Sequence, residues 1–159
     1  MTKDEKGGIL NTKITNNRVE NPMDVQKYRK MCAGLKKNGI EVFEAQGDDL
    51  RYLKSLGAEA SYGNGYIMHV GELPSASAMF EEVIHSTQAR IYGEFQTDSS
   101  EELCAREIAA NRMLIKHKNA YGFDETDIED INRNLAYWEE RFIKEVGCSY
   151  DESTYHREI

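Results

Sequence analysis

Apolar positions recur at helical spacing along most of this chain and give way to short β-rich runs in only two places. After Asn21-Pro22, which supplies a cap and a proline for a first turn, Val25, Tyr28, Cys32 and Leu35 follow three to four residues apart, and Asn38-Gly39 closes the helix. Ile40-Glu41-Val42-Phe43 reads as a short strand. Asp48 to Leu56 predicts one or two helical turns with Leu50 and Leu53 inward and Gly57 as the stop. Tyr62-Gly63-Asn64-Gly65 is turn chemistry, and Tyr66 to Val70 is the next strand. Ser75 or Ser77 caps a helix running to about Tyr92. Ser99 with Glu102 forms a capping box for a second long helix ending near Tyr121-Gly122. Asp124 opens a third, whose Ile128, Ile131, Leu135, Trp138 and Phe142 make an apolar stripe up to Gly147. The order predicts a small α+β domain: a short sheet, one central helix and two further long C-terminal helices.

A chain of 159 residues fits one domain with a real core. Residues 1–20 read as a flexible leader or a junction, residues 21–147 as the domain, and residues 148–159 as a polar, frayed tail. The formal charge of −8 argues against a general nucleic-acid or membrane-surface binder, because phosphate-rich partners need the opposite sign. No apolar run approaches the ~20 residues of a membrane span, and Met1-Thr2-Lys3-Asp4-Glu5-Lys6 is too polar for a secretory signal. Cys32, Cys104 and Cys148 are odd in number and far apart, so neither a disulfide frame nor a thiolate zinc site is indicated. A cytoplasmic, reducing location is the default expectation.

The chemistry concentrates in Phe80-Glu81-Glu82-Val83-Ile84-His85-Ser86-Thr87-Gln88. This is one residue short of H-E-x-x-H, with Glu81 where the first histidine would stand. At about 100° per residue, Phe80, Val83, Ile84, Thr87 and Ile91 share a core-facing arc. Glu81, His85, Gln88 and Tyr92 form a polar stripe beside it, the pattern of a helix at the floor of a cleft. Residues i and i+4 can reach one ion while i+1 leans over its open position. On the next helix Leu103, Glu107, Ala110 and Leu114 recur on one face, which puts Glu107 in the core. A buried carboxylate needs a partner, and a metal ion or a guanidinium (Arg90 or Arg112) would supply one.

E-x-x-H on one helix, with a glutamate in the context Glu107-Ile108-Ala109-Ala110 on the next, resembles the glutamate-ligand zincin metallopeptidases. With the preceding strand and Pro74-Ser75-Ala76-Ser77-Ala78, the chain is similar, over residues 40–140, to zincin-like domains at the C-termini of phage minor head proteins and bacterial polymorphic toxins. The resemblance implies Glu82 as general base, His85 and Glu107 as metal ligands, and Glu81 in the first-ligand position. It implies a divalent cofactor, zinc in the family, with manganese or magnesium suiting the more carboxylate-rich set, or no ion if the site is degenerate. It also implies a protein or peptide substrate, and a toxin, effector or processing module joined to an upstream delivery or phage structural domain. Gln88 is either a rim residue or an orienting partner of His85, and His69 or Tyr92 could donate to an oxyanion. Two other readings compete: a non-catalytic binding or structural module on the same scaffold, and a metal-independent nuclease-type toxin domain using Glu82, His85 and Arg90.

Overall fold

The computed structural model describes residues 19–94 and 99–152. The order is α1 (Val25–Lys37), β1 (Glu41–Glu44), α2 (Gly47–Leu56), β2 (Ala60–Gly63), β3 (Tyr66–His69), α3 (Ala76–Tyr92), α4 (Ser100–Lys116), α5 (Lys118–Tyr121) and α6 (Glu125–Val146). The class is α+β.

The sheet has the strand order β1-β3-β2, with β1 parallel and β2 antiparallel to the central β3. Strand β2, absent from the sequence expectation, pairs through Ala60↔His69, Ser61↔Met68 and Tyr62↔Ile67. Its residues Ala-Ser-Tyr-Gly carry little apolar signal of their own; pairing with β3 creates the strand. Asn64 and Gly65 between them both have positive φ (45° and 90°). A two-residue loop with both φ positive matches the right-handed twist of a hairpin, and Asn-Gly adopts it with little strain.

Side chains alternate across β3. Met68 and Val70 pack with Ala45, Leu53 and Ala58, so α2 covers one face of the sheet. Ile67 packs with Met23, Leu35 and Met79, so α1 and α3 cover the other. The chain joins this body before α1: Met23 is buried, its amide donates to the Pro74 carbonyl, and Pro22 bridges Ser75. Residues 1–18 of the expected leader lie outside the described residues, as do residues 153–159 of the expected tail. Tyr150, by contrast, is buried edge-on against Phe142.

α4 and α6 pack along each other over a core of Cys104, Ala105, Ile108, Trp138 and Phe142, the stripe expected from the sequence. α4 stops at Lys116 rather than near Tyr121. His117 leaves the helical conformation (φ −105°, ψ 19°), and the single turn α5 follows. That turn lets Tyr121 stack on Phe80 and Phe123 meet the same ring edge-on.

α6 begins with a reciprocal cap. The Asp124 carboxylate accepts from the Asp127 amide, and Asp127 accepts from the Asp124 amide. Asp127 and Asp130 are buried, so the acidic start of this helix, which composition alone would leave to solvent, is only partly solvated. Asp124 also accepts from Asn21, which ties the segment before α1 to the third long helix. Asp124→Ala should therefore cost about 1–2 kcal/mol, the upper range for an N-cap, read as a lower urea midpoint with unchanged slope.

Candidate metal centre

α3 starts where Ser75 accepts from the Ala78 amide. It runs between β2 on one side and α4 and α6 on the other. That position overturns one expectation. The polar stripe was placed at the floor of a cleft, beside an apolar arc including Ile91; instead Glu81, His85 and Gln88 are buried, and Ile91 is 52% exposed. The first three turns of α3 are covered on nearly every side, whereas the last turn runs past its neighbours.

The four groups implied by the motif are 0% (Glu81), 5% (Glu82), 3% (His85) and 1% (Glu107) exposed. One ligand atom each from Glu81, Glu82 and His85 lie within 4.8 Å of one another. Glu107 arrives from α4 with Oε1 2.8 Å from His85 Nε2, and Glu81 Oε1 lies 3.6 Å from the same nitrogen. The guanidinium compensation considered for Glu107 does not occur. Arg112 pairs with Glu139 at 2.8 Å, and Arg90 is exposed on the last turn of α3.

The imidazole is held in one orientation by a chain that starts at the backbone of α4. Gln88 Nε2 donates to the Arg106 carbonyl at 3.0 Å, which turns Gln88 Oε1 toward His85 Nδ1 at 2.8 Å. Only an N–H can face that oxygen, so Nδ1 carries a proton and Nε2 points at the carboxylates. Gln88 is thus the orienting partner of His85 and not a rim residue. Arg106, itself buried, donates to Glu102 Oε1 and to the Gly93 carbonyl, clamping the C-terminus of α3 to α4.

Glu82 is held from the opposite side, by the Tyr62 amide donating to Oε2 at 2.7 Å. Glu81 Oε2 faces α6, where Asn134 Nδ2 lies at 3.4 Å. Asn134 Nδ2 is also 3.3 Å from Asn111 Oδ1, and Asn111 Nδ2 donates to the Glu107 carbonyl at 2.8 Å. Neither asparagine was anticipated. Asn111 follows Glu107 by four residues and was legible as a same-face neighbour, whereas Asn134 lies in a helix chosen by its apolar stripe alone.

The remaining sequence candidates lie elsewhere. His69 is buried on β3 with Nε2 2.6 Å from the Tyr28 hydroxyl, and Tyr92 is partly exposed at the end of α3.

Burial shapes the electrostatics. It pushes the Glu81 carboxyl up to about 7, against the lowering effect of the neighbouring His85 imidazole, with Glu107 adding repulsion. It pushes Glu82 up to about 8, reinforced by Glu81 and Glu107. Burial alone would lower His85, but the Glu107 carboxylate at 2.8 Å and the Glu81 and Glu82 carboxyls beside it hold it well above its ordinary value. Three carboxyl groups and one imidazole sharing a dry space keep their charges only if cations fill it. Protons fill it in one state, and a divalent ion is suited to the other. Glu81 Oε1 and Glu107 Oε2 lack hydrogen-bond donors, as ligand oxygens awaiting a cation would. Bond lengths of about 2.0–2.2 Å put neighbouring ligand atoms roughly 3 Å apart, and the 2.8 and 3.6 Å separations bracket that spacing. The residues fit a metal ion.

No protein-family model matches the chain, and no curated protein or solved structure does.

Proposed function

We propose that this chain is a zincin-like, metal-dependent hydrolase acting on peptide or protein substrates, with His85, Glu107 and Glu81 holding a divalent ion. The observation that carries the reading is the convergence of two carboxylates from different helices on one imidazole nitrogen. The other nitrogen of that ring is occupied by Gln88. One imidazole and two carboxylates can hold zinc, and a set this rich in oxygen also suits manganese. When bound, the ion supplies Lewis acidity that polarises a substrate carbonyl and favours deprotonation of water.

The protein does the rest. Gln88 keeps the His85 ring in its ligating tautomer. Glu82, next to the first ligand and fixed by the Tyr62 amide, takes up the proton of the attacking water. The same carboxyl then returns that proton to the leaving amine. The dry surroundings strengthen each of these interactions.

Full burial of the four groups favours a second reading, a non-catalytic centre whose ion braces α3, α4 and α6. The test separates the two. Protein purified without chelator is assayed for metal content and for cleavage of a fluorogenic peptide library, alongside Glu82→Gln. The hydrolase reading expects stoichiometric metal in both proteins, with cleavage lost about 100-fold or more in the variant. Metal without cleavage in the wild type assigns the bracing role. Absence of metal after exposure to zinc and manganese removes both.

A further inference from the structure

We infer that Asn134, from α6, is a positioning residue of the metal centre, selecting which oxygen of Glu81 faces the ion. This rests on the metal-binding reading above. A carboxylate at the start of E-x-x-x-H can present either oxygen, or both, to a cation. Here the two are sorted: Oε2 lies 3.4 Å from Asn134 Nδ2, and Oε1 faces His85 Nε2 at 3.6 Å.

The orientation of the Asn134 amide is dictated by its surroundings. Its nitrogen sits between two acceptors, Glu81 Oε2 and Asn111 Oδ1, and the reversed amide would set oxygen against oxygen at both. Asn111 is fixed in turn by donating to the carbonyl of Glu107, the residue that supplies the α4 ligand. The Glu107 backbone, Asn111, Asn134 and Glu81 thus form one hydrogen-bonded path joining the ligand of α3 to the ligand of α4 through α6. Asn134 is buried and its Oδ1 has no donor. An amide kept only for folding would be expected to use both ends, because a buried unsatisfied carbonyl is costly. Its retained contacts are those to the site.

The experiment is calorimetric titration of the full chain with Zn²⁺ and with Mn²⁺, for the wild type, Asn134→Leu and Asn134→Asp, with metal-free melting curves alongside. Asn134→Leu should weaken metal binding about 10- to 100-fold, the range for loss of an outer partner of a ligand. It should lower the metal-free melting temperature only slightly, since one orphaned oxygen is removed while Glu81 Oε2 and Asn111 Oδ1 lose a long hydrogen bond each. Asn134→Asp should lower the metal-free melting temperature by setting a carboxylate against Glu81, and regain it when metal is added. If the wild type binds neither ion, the metal-binding reading fails and this inference with it. If the wild type binds but both variants bind with unchanged affinity, the inference alone is overturned. Should Asn134→Leu not fold, the Asp variant decides: a melting temperature that metal does not restore assigns Asn134 a purely structural role.

Discussion

His85→Ala should destabilise the metal-free protein by about 3–5 kcal/mol at pH 8, the cost of removing one partner from a buried ionic set. The imidazole faces Glu107 at 2.8 Å and Glu81 at 3.6 Å, and Arg112, the guanidinium that could have stood in for it, pairs with Glu139 instead. Without it, buried carboxylates repel one another unless they take up protons. At pH 5 the loss should shrink, because Glu81 and Glu82, pushed up to about 7 and 8 by burial, are then neutral with or without the imidazole. What remains is the loss of the Glu107 contact at 2.8 Å and the cavity left by the ring. Urea unfolding at the two pH values measures the difference. Equal losses at pH 5 and pH 8 would mean that the ring does not offset the charges of Glu81 and Glu82, and the electrostatic account of the site would be wrong.

Wild-type protein held in EDTA should lose stability steadily as the pH rises from about 5 to 8. Glu81 and Glu82 bind protons more tightly folded than their ordinary value of 4.5 allows in the unfolded chain. Through that window the folded state carries the extra protons, so raising the pH favours unfolding. His85 acts in the same direction. Its stabilisation is fully present below its ordinary 6.5 and fades as the pH climbs through its raised folded value. A divalent ion reverses the trend, since its ligands must be deprotonated and binding therefore strengthens with pH. At a free concentration near 100 times Kd the ion adds about 2.7 kcal/mol. Melting temperatures at pH 5, 6, 7 and 8, with EDTA and with zinc or manganese, should diverge toward the alkaline end. A flat profile in EDTA, or a metal increment that shrinks with pH, would contradict the proposed exchange of protons for a cation.

Local chemistry explains how much of this was readable beforehand. Ser75, Ser99 and Asp124 each cap their helix through a side-chain oxygen, a bond made within one turn and visible in the order of residues. Trp138 and Phe142 lie where a helical stripe puts them, and Glu107 is buried because Leu103, Cys104 and Ala110, three and four residues away, are apolar. Strand β2 was missed because its residues become a strand only against β3. His117 was missed as a helix end because neither glycine nor proline marks it. The burial of the polar stripe was missed because a helix shielded on one side and a helix shielded on three sides carry the same pattern.

The amino-acid order alone settled the α+β class, the long helices, the N-caps of α4 and α6, and which residues of α3 could share one ligand, since these follow from spacings within a single element; it misplaced the cap of α1, which Asp24 and not Asn21 provides. Tertiary structure decided that His85, not an arginine, answers Glu107, that the Tyr62 amide holds Glu82, and that α6 enters the site through Asn134. Each of those contacts joins residues 20 or more positions apart. Helical and strand periodicity fixes the direction a side chain takes from its own axis and carries no information about which axis will lie opposite.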